Sequence, residues 1–239
     1  MKLPFDNTRA QASKPTLGEA SKTAAGDVTA CAGMTGPPSA QALEEALRAA
    51  RACTHCVDVL PLGPRPVVRA SLSARLLIVG QAPGTRVHET GLPWNDPSGD
   101  RLRKWMGLDR DTFYDESRIA IVPMGLCYPG RDARGGDAPP RACCAPLWHP
   151  RTVSLLPRLE LVLLIGRYAQ SYYLGDRAAP SLTETVRHWR EYQPDFLPLP
   201  HPSFRNTAWL KRNPWFDLEV LPYLRERLNG LIPDQTSRD

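Results

Sequence analysis

The chain has 239 residues, of which 42% are apolar, with six tryptophans and a formal charge of +5 from 30 basic and 25 acidic side chains. That is enough apolar material for one real core, and it excludes a wholly disordered chain. The longest apolar run, around Leu159 to Ile165, is far too short to span a bilayer, and the N-terminus has no secretory apolar segment, so a soluble, cytoplasmic protein with no membrane partner is expected. The modest basic excess suits a phosphate-backbone partner and equally suits a solvated basic surface.

Residues 1–40 are rich in Ala, Ser, Thr, Gly and Pro without apolar periodicity and read as a flexible tail. Residues 41–232 read as one domain, with 233–239 as a C-terminal tail. From Gln41 the spacing Leu43, Ala46, Leu47, Ala50 predicts a helix running into Cys53. Four short apolar strands follow, at Leu76–Val79, Ile119–Val122, Leu161–Ile165 and Phe196–Leu199. Helical segments alternate with them at Gly99–Met106, Cys144–Leu155, Arg167–Leu174, Leu182–Trp189 and Trp215–Leu228. This alternation predicts an α/β fold, a parallel sheet with helices on both faces. The loop from Cys127 to Pro140 is long and glycine-rich, and loops of that length in compact domains are functional or tied down.

Cys53-Thr-His-Cys56 is a Cys-x-x-Cys pair, readable as a redox motif, half a zinc site or half a cluster site. It sits at the end of a helix before the first strand, which counts against a thioredoxin-type role. Cys127 ends the second strand and Cys144 opens the next helix, with Cys143 an adjacent rival; Cys31 lies in the tail and reads as a bystander. Four converging thiolates suit either a [4Fe–4S] cluster or a tetrahedral zinc.

Two turns carry the chemistry. Gly80-Gln81-Ala82-Pro83-Gly84 follows the first strand, at the carboxyl end where open α/β sheets place ligands. Its loop continues through Trp94, Asn95 and Asp96 to Ser98-Gly99-Asp100, a good helix start. His201-Pro202-Ser203 follows the last strand. Together the two turns resemble those of the uracil-DNA glycosylase superfamily, over roughly Leu43 to Leu231, and the cysteines are similar to those of its iron–sulfur branch. The resemblance implies a four-stranded sheet in a three-layer α/β/α sandwich. It also implies hydrolysis of the N-glycosidic bond of uracil in DNA by a monomer, initiating base excision repair. A [4Fe–4S] cluster on Cys53, Cys56, Cys127 and Cys144 is implied as a structural pin, with zinc as the alternative.

The resemblance assigns Trp94 to stack on the flipped base, among Gly80, Gln81, Ala82 and Asn95 as base-binding residues. It assigns His201 to hydrogen-bond the leaving base as negative charge builds there. Pro202, Ser203, Phe204, Arg205, Asn206 and Lys211 would face DNA, with Phe204 as the wedge that fills the vacated stack. The usual acid of the first turn is missing, since Gln81 and Ala82 cannot act as a base. One branch takes its Asp from just before Ser-Gly-Asp, which is Asp96 here. Asp96 is therefore the catalytic candidate, and helix capping is its other reading. Asp100 reads as a first-turn helix charge, and His88 and Glu89 stand in reserve in the same loop. Relatives read the base edge with an Asn after Cys-x-Pro-Pro-Gly, whereas this chain has Cys127-Tyr-Pro-Gly-Arg-Asp132, so hypoxanthine or xanthine joins uracil as a candidate. No lysine is placed for lyase chemistry, so a monofunctional enzyme is expected. The competing reading is a DNA- or base-binding homologue of the same fold that has lost turnover along with the usual acid.

Overall fold

The computed structural model describes residues 39–133 and 135–232. The tails expected over 1–40 and 233–239, with Cys31, lie outside the described residues, except that Ser39 and Ala40 open the first helix. That helix, α1 (Ala40–Arg51), is capped by the Ser39 hydroxyl, which accepts from the Ala42 N–H at 3.1 Å. It buries the stripe Leu43, Ala46, Leu47 and Ala50.

Strand β1 (Leu76–Val79) is followed by α2 (Thr85–Thr90), α3 (Pro97–Met106), α4 (Arg110–Tyr114) and β2 (Ile119–Ile121). Then come α5 (Cys144–Thr152), β3 (Leu161–Ile165), α6 (Arg167–Leu174), α7 (Leu182–Arg187), β4 (Phe196–Leu199), α8 (Thr207–Arg212) and α9 (Leu221–Leu231). The strands form one parallel sheet in the order β2-β1-β3-β4, with Leu76 opposite Ile119 and Leu161, and Val162 opposite Phe196. Every strand residue is buried, as a sheet covered on both faces requires.

The pleat divides the core. Leu76, Ile78, Ile119, Ile121, Leu163 and Leu197 face Leu102, Trp105 and Met106 of α3, Phe216, and Leu224 and Leu228 of α9. Leu77, Val79, Ala120, Val162 and Leu164 face α1, Trp148 of α5 and Ala169 and Leu174 of α6. These are the three layers expected of the α/β/α sandwich. The order of winding reverses at β1: β2 lies on one side and β3 on the other, so the crevice between the outgoing loops opens at the carboxyl ends of β1 and β3. Buried Gln170 braces this end by donating to the carbonyls of Leu199, at 2.9 Å, and Leu164.

Element ends move for local reasons. The second strand stops at Ile121: Val122 still donates to the Ile78 carbonyl, but Pro123 has no N–H to extend the ladder. The third helix starts at Pro97, because the Asp96 side chain caps it. The helices expected over 144–155 and 182–189 tighten into 3₁₀ turns at Val153–Leu155 and Trp189–Tyr192. The last helix opens as a π turn, Phe216–Val220, and runs on to Leu231. The glycine-rich loop is tied across its width: Arg131 bridges Asp137, Asp132 N–H donates to Gly136 O at 2.7 Å, and Ala138 N–H to Gly130 O at 2.9 Å. No helix among the described residues is long and apolar enough to cross a membrane.

Candidate active site

A cleft of about 660 Å³ opens at the carboxyl ends of the strands. Its walls are the turn Gly80–Gly84, Trp94, Asp96 and Ser98, the loop around Asp132–Asp137, and the segment His201, Ser203–Asn206. Residues more than a hundred positions apart thus share one space, because β1 and β4 both deliver their loops to the same edge.

Trp94 adopts the left-handed backbone conformation, φ +57°, the one non-glycine among the described residues to do so. Such a conformation costs on the order of 1–3 kcal/mol and persists only where surroundings enforce it. Here the Trp94 carbonyl accepts from Arg103 Nη1 at 3.2 Å, and the adjacent Pro93 carbonyl accepts from the Tyr114 hydroxyl at 2.9 Å. Arg103 is itself buried and ion-paired with Asp100 at 2.5 Å. Gly99 packs onto the same carbonyl so closely that a Cβ there would lie 1.7 Å from the Trp94 oxygen. The indole is pressed on Gly80, where a Cβ would meet Cζ2 at 2.7 Å. Its ring centre lies 5.6 Å from that of His201, with the planes 33° apart.

Burial pushes the His201 pKa below 6.5, and the Asp96 carboxylate only partly offsets it, so the imidazole is neutral at physiological pH. The loop that carries it is tied at both ends: Asn206 Nδ2 donates to the His201 carbonyl at 2.7 Å, and Arg101 donates to the Ser203 carbonyl at 3.0 Å. Asp96 Oδ1 accepts the Gly99 N–H at 2.8 Å, so the capping reading holds. Its other oxygen remains on the cleft wall, near Gly84. One carboxylate therefore both starts α3 and borders the cleft.

The remaining expected residues divide. Gly80, Gln81, Ala82, Ser203, Phe204, Arg205 and Asn206 line the cleft, with Pro202 buried between. Phe204 is 74% exposed at the rim. Gln81 spends its amide on the opposite loop, donating to Ala138 O at 3.0 Å. Asn95 is not in the cleft wall: its carboxamide oxygen accepts from Arg110 at 2.9 Å. Lys211 is exposed on α8, also off the cleft wall, and His88 and Glu89 on α2 do not reach it either. Three residues that the sequence left unnoticed do line it: Arg131, Asp132 and Asp137. Arg205 joins their loop by donating to Gly135 O at 2.7 Å.

The family model of the uracil DNA glycosylase superfamily matches residues 68–225. The chain belongs to this superfamily. Both turns fall inside the matched span, as do Cys127 and Cys144, while Cys53 and Cys56 precede it. Membership in the uracil DNA glycosylase superfamily gives a glycosylase-type function on DNA.

The cysteines of this superfamily member gather behind the cleft. Cys53, Cys56, Cys127 and Cys144 line a cavity of about 20 Å³ together with Leu60, Pro64, Pro66 and Trp148. Cys143 is not among the residues that line it, but its Sγ lies 3.7 Å from Cys56 Sγ. Burial pushes the Cys144 thiol up to about 12 and raises Cys127 and Cys56 as well. The Leu126 N–H donates to Cys144 Sγ at 3.3 Å. Among the described residues no three His, Cys, Asp or Glu side chains form a group that could hold a metal ion.

Proposed function

We propose that this protein hydrolyses the N-glycosidic bond of uracil, or of another deaminated base, in DNA, as a monofunctional glycosylase. The observation that carries the reading is the facing of the Trp94 and His201 rings above the Gly80–Gly84 turn, with an Asp96 oxygen on the same wall. A base drawn out of the stack lies on the Trp94 indole, a contact worth on the order of 1–3 kcal/mol. The neutral His201 imidazole donates to a carbonyl oxygen of the base as negative charge develops there. Asp96, fixed by its cap bond, faces the sugar, stabilises the oxocarbenium ion and orients the water. The C1′–N bond breaks with its electron pair leaving on the base, the water oxygen bonds to C1′, and a proton passes to the base. Phe204, exposed at the rim, fills the gap left in the duplex.

The thiol set of Cys53, Cys56, Cys127 and Cys144 suits a [4Fe–4S] cluster, with a tetrahedral zinc as the alternative: all four donors are sulfur and they line a single cavity. When bound, such a cluster cross-links α1 to the 127–144 segment. A monomeric, cytoplasmic enzyme is the accompanying proposal.

The test is excision from labelled oligonucleotides holding one uracil, hypoxanthine or xanthine, single-stranded or paired, followed by alkali. Excision by the wild type that Asp96→Asn and His201→Ala both lose supports the reading. Tight binding to the damaged base with no excision favours the non-catalytic homologue instead.

A further inference from the structure

Glycine at position 84 leaves an open point in the cleft. A methyl group built on it would lie 3.6 Å from Asp137 Oδ2 and 4.0 Å from Asp96 Oδ2. Two carboxylates, one from the start of α3 and one from the opposite loop, therefore look onto the same small volume. Neither is a passing surface charge. Asp96 is held by Gly99. Asp137 is held through its backbone: Gln81 Nε2 reaches its carbonyl at 3.5 Å and the next carbonyl at 3.0 Å, Arg131 bridges it across the turn, and Arg205 ties the turn's tip at Gly135. A loop with that many long-range ties places its side chain rather than letting it roam.

We propose that Asp137 is a second catalytic carboxylate, accepting a proton from the attacking water at the open point beside Gly84 while Asp96 stabilises the sugar cation. The inference rests on the glycosylase reading. It divides between two residues the work that the missing acid of the first turn would otherwise do. In the step, the water O–H bond breaks toward an Asp137 oxygen and the water oxygen bonds to C1′. The C1′–N electron pair leaves on the base against His201, and the proton on Asp137 returns to solvent or to the departing base. Desolvation, reinforced by the charges of Asp96 and Asp132 and opposed by Arg205 and Arg131, holds the Asp137 carboxyl above the usual carboxylate value of 3.8, which makes it a stronger base than an exposed aspartate. Among the described residues, these four groups and His201 across the cleft are the charged or titratable side chains that face it.

The experiment is single-turnover excision of uracil from a labelled single-stranded oligonucleotide between pH 5 and pH 9. The proteins are the wild type, Asp137→Asn, Asp137→Ala and Asp96→Asn, with DNA affinity measured separately by anisotropy. The expected result is a fall of about 100-fold in the saturating rate of Asp137→Asn with unchanged affinity. Its profile should lose an acid limb that the wild type shows, and added formate should restore part of the rate of Asp137→Ala. An active wild type alongside an Asp137→Asn protein of equal rate and equal profile overturns the assignment. So does a loss confined to DNA affinity, or a slow Asp137→Ala that formate leaves unchanged. A wild type that excises none of uracil, hypoxanthine and xanthine sinks the glycosylase reading itself, and the inference falls with it.

Discussion

The segment from Pro123 to Cys144 borders two cavities of opposite character. On one side it helps wall a cleft of about 660 Å³ lined with carboxylates, a histidine and arginines; on the other it closes a cavity of about 20 Å³ lined with thiols, prolines, Leu60 and Trp148. The cleft side is held by hydrogen bonds from distant side chains, Gln81 and Arg205, and by one strained residue, Trp94. The thiol side is held by apolar burial. Polar ties fix direction without filling space, so a substrate can enter. Apolar packing fills space and leaves only a small void among the sulfurs.

The sharpest break in that comparison comes from Asp96. Asp96→Asn keeps a good helix cap, so its melting temperature should stay within about 1–2 °C, while excision falls roughly 10²- to 10⁴-fold. Asp96→Ala should lose the same activity and about 1 kcal/mol of stability as well. Equal melting of the two variants would show that the cap contributes nothing, and activity surviving in the Asn variant would show that the residue only caps. His201→Ala comes next, with a fall of roughly 10²- to 10³-fold read in the same assay.

Gly99→Ala probes the strained corner. Its Cβ cannot coexist with the Trp94 carbonyl, so the backbone must move, at about 3 kcal/mol, and the indole must leave His201. Urea denaturation and tryptophan fluorescence measure both. A Gly99→Ala protein of wild-type stability would mean that the corner is not enforced.

His149 extends the contrast to acid. It is fully buried behind the cleft, with one ring nitrogen bonded to the Tyr173 hydroxyl at 2.6 Å and the other donating to the Pro123 carbonyl at 3.0 Å. Burial lowers its pKa from 6.5 to about 4. An unfolded chain therefore takes up a proton near pH 6.5 that the folded chain refuses until about pH 4. The stability this contributes is whole above pH 6.5 and falls as pH drops through that window, by an amount on the order of 3 kcal/mol. Denaturation of wild type and His149→Gln at pH 7 and pH 4.5 checks it: the difference between the two proteins should shrink at the lower pH. The smallest effect belongs to Lys211→Ala. Standing off the cleft wall, it should change the salt dependence of DNA binding by less than Arg205→Ala does, and each by about one unit of slope at most.

The four strands were readable because each is a run of apolar residues with no polar interruption, as a doubly covered sheet demands. Asp96, His201 and Trp94 were readable because each sits in a short turn beside glycine or proline. Asp137 was not, because nothing local marks it: its position depends on Gln81 and Arg205, both more than fifty residues away. Asn95 misled for the complementary reason, since Arg110 captures its amide from a helix too short, at five residues, to show a period. The π turn at Phe216–Val220 likewise leaves no trace in the spacing of apolar residues.

Gly99 and Trp94 are linked in inheritance. The left-handed corner at 94 exists only while position 99 has no side chain, and the glycine at 99 is worth keeping only while a carbonyl occupies that space. The dependence runs one way: a side chain at 99 meets the carbonyl of residue 94 whatever side chain that residue carries, whereas the indole can be exchanged without touching Gly99. A designer wishing to reshape the base pocket can therefore vary 94 freely only while 99 stays glycine.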